Sequence, residues 1–444
     1  MNNRSEPSAT QPVLKFRLDN GLTVVLREMH HAPVSSFWMW YRVGSRNEVA
    51  GITGASHWIE HLMFKGSPQF PDGSLDRLIS REGGRWNAFT TTDFTAYYET
   101  LPSSRIDLAL RLEADRMVAA TMSEEDVEAE RSVIISERQM YQNYPAFLLQ
   151  EQLVAAAYRV HPYHHEIIGD LADLKTMTRS DLVNHYRRYY APQNAVVVGV
   201  GDFDSGAMLT KIKELFGPIP GSEPIDDRVQ PEPRQRGERR VTVRGPGQTA
   251  YLAYAFHVPP ATDPDFYPVL LLNAAFTGGS SLGFFGGGTT NKSSRLYKAL
   301  VDSDLAADVS GDIFPSIDPY LYTIYAVAWP NRCLSEIESA LEAEITRLIQ
   351  EPITQHELDK ALKRAKAQFV LAGESVTGQA QMIGLAEIVA GDYGWYEQTL
   401  SALKQVTLAD LDRVRAKYLQ RDNRVVGLYE PTGHDAPEDG PGDE

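Results

Sequence analysis

The most constraining feature of this 444-residue sequence is a segment that occurs once in each half. Residues 174–197 align with residues 403–426 without a gap, at a separation of 229 residues. Each copy has the pattern of a threonine-capped helix followed by a β-branched strand. Two ordered copies of one helix–strand unit predict two homologous domains in tandem. The shared residues are Leu174/Leu403, Lys175/Lys404, Thr178/Thr407, Asp181/Asp410, Leu182/Leu411, Tyr189/Tyr418, Asn194/Asn423, Val196/Val425 and Val197/Val426.

Proline and glycine are concentrated between the two copies, at residues 217–240. Both residues break regular structure, so this stretch predicts a linker. We therefore expect one domain at residues 12–216 and its homologue at residues 241–430. Residues 431–444 are rich in Pro, Gly, Asp and Glu and predict a flexible acidic tail.

The pattern of elements in the first half predicts an α+β fold, with a mostly antiparallel sheet packed by helices in each domain. Strand-like and helical segments alternate irregularly, which disfavours a doubly wound parallel sheet. Residues 14–26 predict a hairpin with its turn at residues 19–21. The further strand candidates are residues 34–43 and 84–101, and the helix candidates are residues 53–65, 104–118 and 123–141.

One pentapeptide, His57-Trp58-Ile59-Glu60-His61, has the spacing of a metal site. In a helix the two histidines lie four residues apart on one face, where they supply half of a tetrahedral zinc site. Glu60 lies at the rim of that face and can take a proton from a zinc-activated water. Ser56 is expected to help open the helix. The pattern is typical of inverted zinc peptidase motifs.

A catalytic zinc site needs a third protein ligand. Residues 123–137 predict a helix that is capped by Ser123 and is acidic in its first turns. Glu130 and Glu137 lie two turns apart on one face of this helix. Spacing alone leaves two alternatives: a solvated charged face, or acids that meet a metal or its histidine ligands.

Residues 54–67 resemble the active-site segment of the pitrilysin (insulinase) family, which includes the mitochondrial processing peptidases. The likeness continues through residues 84–90 and the duplicated domain. It implies that Glu137 is the third ligand of one Zn²⁺ per chain and that Glu130 assists catalysis. It also implies that Asn87 and Ala88 lie on a sheet edge to which peptide substrates add as a strand.

A glycine-rich stretch in the second half, containing Gly286, Gly287 and Gly288, resembles the flexible substrate-side loop of the processing peptidase subunits. A plain mobile loop is the alternative. No Gly-Lys-Ser/Thr follows at the required spacing, so the stretch is not a phosphate-binding loop.

The resemblance also reveals a departure from the family. Active members supply an Arg and a Tyr, seven residues apart, that help to hold the substrate carbonyl. The matching positions here are Val301 and Asp308, or Leu300 and Ala307 one residue earlier. Within the family, a zinc site without this pair implies a homologous partner subunit that carries it.

Charge and composition exclude other classes of function. A net charge of −16 argues against nucleic acid as a partner, because phosphate binding needs clustered cations. A negative chamber would attract basic peptides. The lone Cys333 excludes an internal disulfide, and we expect it to be buried. Three histidines, His161, His164 and His165, are expected to be surface residues with hydrogen-bond roles.

No signal peptide is visible at the N-terminus, as would also be the case after removal of a leader, and no apolar run is long enough to span a membrane. We expect a cytoplasmic protein, or a periplasmic one if a leader was removed. The prediction is a zinc-dependent endopeptidase, as the catalytic subunit of a hetero-oligomer. The alternatives are a homodimeric peptidase of the same chemistry and a non-catalytic core subunit of a larger assembly.

Overall fold

The computed structural model describes residues 12–71, 73–223, 225, 228–279 and 292–433. These residues form two compact units, and each unit takes segments from both halves of the sequence. The first unit comprises the described residues up to 134, Ile167–Arg228 and Ala372–Tyr396. The second unit comprises Ile135–Glu166, Val229–Leu371 and the described residues from 397 onward. The boundaries of the two sequence repeats remain a prediction, because the units are discontinuous in the chain.

The first unit contains a six-stranded mixed sheet in the order β1-β2-β6-β3-β5-β4. Strands β2 and β6 are parallel, and every other neighbouring pair is antiparallel. The two middle strands, β3 and β6, are almost entirely buried. The strands are β1 Leu14–Arg17, β2 Thr23–Glu28, β3 Val34–Tyr41, β4 Arg85–Thr90, β5 Thr95–Pro102 and β6 Ala195–Gly201.

The second unit repeats this arrangement in a five-stranded sheet of order β7-β11-β8-β10-β9. Strands β7 and β11 form the parallel pair, and three antiparallel pairs follow. Strands β6 and β11, which follow the repeated helix, each lie between one parallel and one antiparallel neighbour. The predicted α+β duplication is confirmed. The strands are β7 Arg239–Gly245, β8 Tyr251–Val258, β9 Ala306–Ile313, β10 Tyr320–Ala328 and β11 Arg424–Pro431.

Helices cover the sheets and carry the candidate site. In chain order they are α1 Ala55–Leu62, α2 Leu75–Arg81, α3 Asp107–Ala119, α4 Glu124–Tyr141, α5 Pro145–Ala157, α6 Leu171–Thr176, α7 Arg179–Tyr189, α8 Ser205–Phe216, α9 Phe266–Phe276, α10 Leu334–Gln350, α11 Gln355–Ala372, α12 Val376–Val389, α13 Gly394–Gln405 and α14 Leu408–Tyr418. The repeated helices α7 and α14 begin with the same capping box, in which Thr178 and Thr407 are the caps.

One helix from each sequence half packs on the sheet of the other repeat. In the first unit, α12 lies against β3 and β6, and Gly384 allows it to approach the Trp40 ring closely. In the second unit, α5 lies against β11 and β8, where Leu149 and Leu153 are fully buried. These two helices explain why each unit draws on both halves.

Some local expectations are wrong. Residues 84–101, expected as one strand, form the β4–β5 hairpin, because residues 91–94 make a turn. Cys333 is exposed and occupies the cap position of α10 instead of a core site. The predicted tail from residue 434 onward and the three glycines at 286–288 lie outside the described residues. Among the described helices, none is long and apolar enough to cross a bilayer.

Candidate metal centre

Helix α1 begins at a tight corner of the main chain. Gly54 precedes it with a φ of 88°, a left-handed conformation that costs glycine little, and a Cβ there would lie 2.5 Å from the Ile168 carbonyl oxygen. The buried Glu48 carboxylate accepts hydrogen bonds from the N–H groups of Gly54 and Ser56, both at 2.7 Å. The expected capping role of Ser56 is therefore wrong: Gly54 occupies the cap position, and Glu48 supplies the acceptor.

A second carboxylate holds the loop that leads into α1. Asp173 Oδ2 accepts hydrogen bonds from the N–H groups of Gly51 and Thr53, both at 3.0 Å, and from the Thr53 hydroxyl at 2.7 Å. The start of α1 is thus held by two acids from different parts of the chain. This support fixes the directions in which the histidines of α1 point.

The three predicted metal ligands lie together. Ligand atoms of His57, His61 and Glu137 are all within 4.8 Å of one another, and this is the only such group of potential metal ligands among the described residues. The two imidazoles share a face of α1 with ring centroids 4.7 Å apart, and Glu137 comes from α4. Two imidazoles and one carboxylate are the ligands of a known class of catalytic zinc sites.

Glu130 contacts a ligand and is not part of the group of three. Its Oε2 lies 2.9 Å from His61 Nδ1, and its Oε1 lies 2.6 Å from Lys65 Nζ. The hydrogen bond with His61, helped by Lys65, lowers the pKa of Glu130 although burial opposes this. A carboxylate that binds Nδ1–H leaves Nε2 of the same imidazole directed at a metal.

The electrostatics of His57 suit metal binding. Burial, and to a smaller extent the neighbouring His61, lowers the pKa of His57 to about 3. The ring is therefore neutral at physiological pH, and neutral imidazole is the form that coordinates metals. The donor types, their proximity and this protonation state together fit a zinc ion.

Glu60 is held beside the ligand group by a separate contact. Its Oε2 accepts a hydrogen bond of 2.6 Å from the Thr90 hydroxyl at the end of β4. Glu60 follows His57 by three residues and directly precedes His61, so it lies at the edge of the ligand face. A carboxylate in this place can exchange protons with a water molecule in front of the ligands.

Arg131 joins α4 to the helices around it. Its guanidinium lies over the Trp58 ring of α1 at 4.8 Å and donates to the carbonyl oxygens of Leu174 and Met177 at 2.5 and 2.8 Å. Cation–π contacts and hydrogen bonds from one partly buried guanidinium favour a single orientation of α4 against these helices. The repeated segment that begins at Leu174 therefore also supports the site.

Two family models match the sequence. The model described as "Insulinase (Peptidase family M16)" matches residues 23–171, which include the ligand group and Glu60. The model described as "Peptidase M16 inactive domain" matches residues 176–365. The chain belongs to the M16 peptidase family. The two adjoining models agree with the duplication seen in the sheets of this M16 protein.

The M16 protein is similar to relatives along almost its whole length. It is 28% identical over 421 residues to an uncharacterized zinc protease of Mycobacterium tuberculosis, across 94% of this chain and 93% of the relative. It is 29% identical over 423 residues to zinc protease PqqE of Helicobacter pylori (93% and 92%). It is 26% identical over 416 residues to the mitochondrial-processing peptidase subunit beta of Lentinula edodes (90% and 86%).

A solved structure has the same fold. The crystal structure of a protease from Helicobacter pylori matches this M16 chain with a TM-score of 0.88 at 28% sequence identity. The match covers 95% of this chain and 100% of that chain. The two chains therefore share this fold over nearly all of their residues.

The predicted substrate strand of the M16 protein is an edge strand. Asn87 and Ala88 lie on β4, which ends the first sheet and pairs with β5 alone among the described strands. The Asn87 side chain is exposed, whereas Ala88 is buried. The strand ends at Thr90, whose hydroxyl bonds Glu60, so this edge leads directly to the ligand group.

The structure also describes the other predicted positions. Val301 ends a π-helical turn, and Asp308 lies on β9. Neither residue is the Arg or Tyr that active family members have. His161 and His165 are buried, against the expectation of surface histidines. The hydrogen-bond role is present, because His161 Nε2 lies 3.2 Å from Asp318 Oδ2.

Four supporting residues were not indicated by the motifs: Glu48, Lys65, Thr90 and Asp173. Their side chains hold the start of α1, the Glu130 carboxylate or Glu60. An acidic residue shortly before the glycines that precede α1 is the one sequence signal that could have indicated Glu48. Nothing in the local pattern around Thr90 or Asp173 indicates a contact with α1.

Proposed function

We propose that this chain is the zinc-bearing catalytic subunit of a metalloendopeptidase that hydrolyses peptides or unfolded segments. The single observation that carries the proposal is the convergence of His57, His61 and Glu137, with Glu60 held at the rim of the group. In this proposal those three residues bind one zinc ion. Relatives named as zinc proteases over nearly the whole chain support the same assignment.

Each residue has a defined task in the proposed reaction. A bound zinc ion lowers the pKa of a water molecule and polarises the scissile carbonyl group. Glu60 takes a proton from the attacking water and returns it to the leaving amine. Glu130 holds His61 by its Nδ1, which leaves Nε2 as the atom that would bind the metal. Glu130 is therefore a positioning residue in this proposal and does not touch the substrate.

We propose that the substrate binds as an added strand on β4. An edge strand offers unpaired backbone N–H and C=O groups, which an extended peptide can satisfy. Asn87 and Ala88 supply that edge, and Thr90 brings its end to Glu60. The net charge of −16 favours basic peptides. The three glycines at 286–288 are a further substrate-side element in this proposal.

We also propose a homologous partner subunit that supplies an Arg and a Tyr. The aligned positions in this chain hold Val301 and Asp308, which cannot stabilise an oxyanion. The similarity to a protein named as the beta subunit of a processing peptidase supports an assembly of this kind. A cytoplasmic location is proposed from the lone cysteine, which suits a reducing compartment.

Metal analysis combined with peptide cleavage tests the proposal. Wild type should hold one zinc ion per chain and cleave an unfolded peptide in the presence of its partner. Glu60→Gln should keep the zinc and lose cleavage, because only the base is removed. His61→Ala should lose the zinc, because two ligands remain.

Zinc retained at full stoichiometry in His61→Ala would contradict the ligand assignment. Cleavage by Glu60→Gln at the wild-type rate would contradict the role of the base. A wild-type chain that holds zinc and cleaves no peptide, with or without a partner, would favour the non-catalytic alternative. Gel filtration of the active species separates a homodimer from a hetero-oligomer.

A further inference from the structure

The hydroxyl of Thr90 makes a short contact with the proposed base. Thr90 is the last residue of β4, and its Oγ1 lies 2.6 Å from Glu60 Oε2. This length is typical of a hydroxyl that donates to a carboxylate, which is among the stronger hydrogen bonds in proteins. The Thr95 hydroxyl, 3.4 Å away on the paired strand, donates to the Val43 carbonyl oxygen at 2.9 Å. The strong contact of the Thr90 hydroxyl is therefore the one with Glu60.

The hairpin that carries Thr90 is fixed by residues 44–46. The turn after β4 presents its carbonyl oxygens to this segment: Ser45 N donates to Thr91 O at 3.2 Å, and Arg46 N donates to Thr92 O at 2.8 Å. Gly44 lies so close that a Cβ there would be 2.3 Å from Thr91 O. The start of the turn, directly after β4, is thus held by two main-chain hydrogen bonds.

The helix that carries Glu60 is fixed by the same segment. Glu48 accepts the N–H groups of Gly54 and Ser56 at the start of α1, and the Ser56 hydroxyl donates to Gly44 O at 3.2 Å. One short stretch, residues 44–48, therefore sets the positions of both Glu60 and Thr90. The main chain around both residues is therefore held by contacts other than the hydrogen bond between their side chains.

We propose that Thr90 is a positioning residue for the base: its hydroxyl fixes one oxygen of the Glu60 carboxylate and so sets the direction of the other toward the reacting water. This inference rests on the proposed peptidase function. A carboxylate rotates readily about its last side-chain bond, and a misplacement of about 1 Å can cost about 10²-fold in rate. A fixed donor removes that rotation before the substrate arrives.

The location of Thr90 adds a link to substrate binding. Strand β4 carries both the open edge proposed to receive the peptide and the hydroxyl that holds the base. A peptide paired with this strand is placed in register with Thr90, and hence with Glu60, by regular strand spacing. Substitutions of the edge should therefore act on KM, whereas loss of the Thr90 hydroxyl should act on kcat.

The test compares Thr90→Val, Thr90→Ser and a control, Thr92→Val, in the complete active assembly with a quenched fluorescent unfolded peptide. Thr90→Val keeps the shape and removes the donor, so we expect kcat to fall about 10–100-fold with KM and zinc content unchanged. Thr90→Ser restores the donor and should recover most of the rate. Thr92 lies in the turn and contributes its carbonyl oxygen to the N–H of Arg46, a contact that Val keeps, so Thr92→Val should cleave like wild type.

Thr90→Val with the wild-type kcat would overturn this inference and leave the proposed function intact. A serine variant as slow as the valine variant would also overturn it. If Thr90→Val loses zinc, Thr90→Ala and Thr90→Ser are compared at equal zinc content, and equal rates would again overturn it. A wild-type protein that holds zinc and cleaves nothing overturns the proposed function, and this inference with it.

Discussion

At the scale of single residues, we expect the contact between Glu130 and His61 to strengthen zinc binding. Glu130→Gln keeps the size of the side chain and removes the negative charge that faces His61 Nδ1. Outer carboxylates on metal-ligating histidines are typically worth about 10–100-fold in metal affinity. We expect the zinc Kd to rise by about that factor in a competition titration with a chromophoric chelator.

The same helix offers a matched control for this prediction. Glu128 pairs with Arg131 at 2.9 Å, and its side chain is 62% exposed. Exposed ion pairs contribute little, so Glu128→Gln should bind zinc like wild type. Equal losses of zinc affinity in the two variants would show that the effect comes from the charge of the helix and not from support of His61.

A second residue-scale prediction concerns pH and stability. Burial, together with the nearby Glu151, raises the pKa of Glu166 from 4.5 to about 7, although Arg138 opposes this. The folded state binds the proton of Glu166 more tightly than the unfolded state does. The contribution of this protonation to the free energy of unfolding is therefore complete below pH 4.5 and is lost as the pH rises to about 7. Glu166→Gln mimics the protonated form at every pH. The free energy of unfolding of this variant should match that of wild type at acid pH and exceed it by up to about 3 kcal/mol at alkaline pH.

Urea unfolding of both proteins at about pH 5 and about pH 8.5 measures this difference. The sign follows from the raised pKa, so the advantage of the variant must grow with pH. A difference between variant and wild type that stays constant over this range would show that Glu166 titrates like an exposed carboxyl group. A larger stability advantage of the variant at acid pH would mean that folding lowers the pKa of Glu166 and does not raise it.

At the scale of elements, we expect the tight turn of the main chain at Gly54, just before α1, to affect the candidate metal site. Gly54→Ala adds a Cβ at a φ of 88° and within 2.5 Å of the Ile168 carbonyl oxygen, so both strain and a clash result. Gly51→Ala, at a φ of 97°, adds a Cβ with nothing within 4 Å. The free energy of unfolding should fall by about 1 kcal/mol in the control, whereas in Gly54→Ala it should fall by about 3 kcal/mol or more, with weaker zinc binding. Equal losses in urea unfolding would show that the positive φ causes the effect and that the clash with Ile168 does not contribute.

The elements also show how far the sequence predicts the site. The spacings within α1 and α4 are local, so helical periodicity was enough to place His57 with His61 and Glu130 with Glu137 on common faces. The contact of Thr90 with Glu60 joins residues 30 positions apart, and that of Asp173 with Thr53 joins residues 120 apart. Such contacts depend on tertiary packing, which no local pattern encodes.

The fold was predictable to a similar extent. The repeat at a separation of 229 residues predicted two copies of one α+β arrangement, and the matching strand orders confirm them. It did not predict that α5 and α12 pack on the sheet of the other repeat. An amphipathic helix shows which of its faces is buried but not which sheet covers that face.

At the scale of the whole molecule, duplication has left the two copies with different chemistry. Both sheets combine one parallel pair with a series of antiparallel neighbours. Only the first half of the sequence carries the His-x-x-Glu-His motif, and the second half matches a model described as an inactive domain. Two copies of one fold therefore do not imply two metal sites. The second copy is free to serve another purpose, such as binding substrate or a partner.

The final prediction concerns the oxyanion donors that the proposed reaction needs. A tetrahedral intermediate places negative charge on the former carbonyl oxygen, and the loss of one donor typically costs about 10²–10³ in rate. Val301 cannot donate, and an Asp308 carboxylate would repel that charge. We expect the isolated chain to hold zinc and cleave slowly, and a homologous partner with the Arg–Tyr pair to raise kcat about 10²–10³-fold. The partner with its Arg changed to Ala is the control. If the purified chain alone cleaves as fast as the mixture, another residue here supplies the donor.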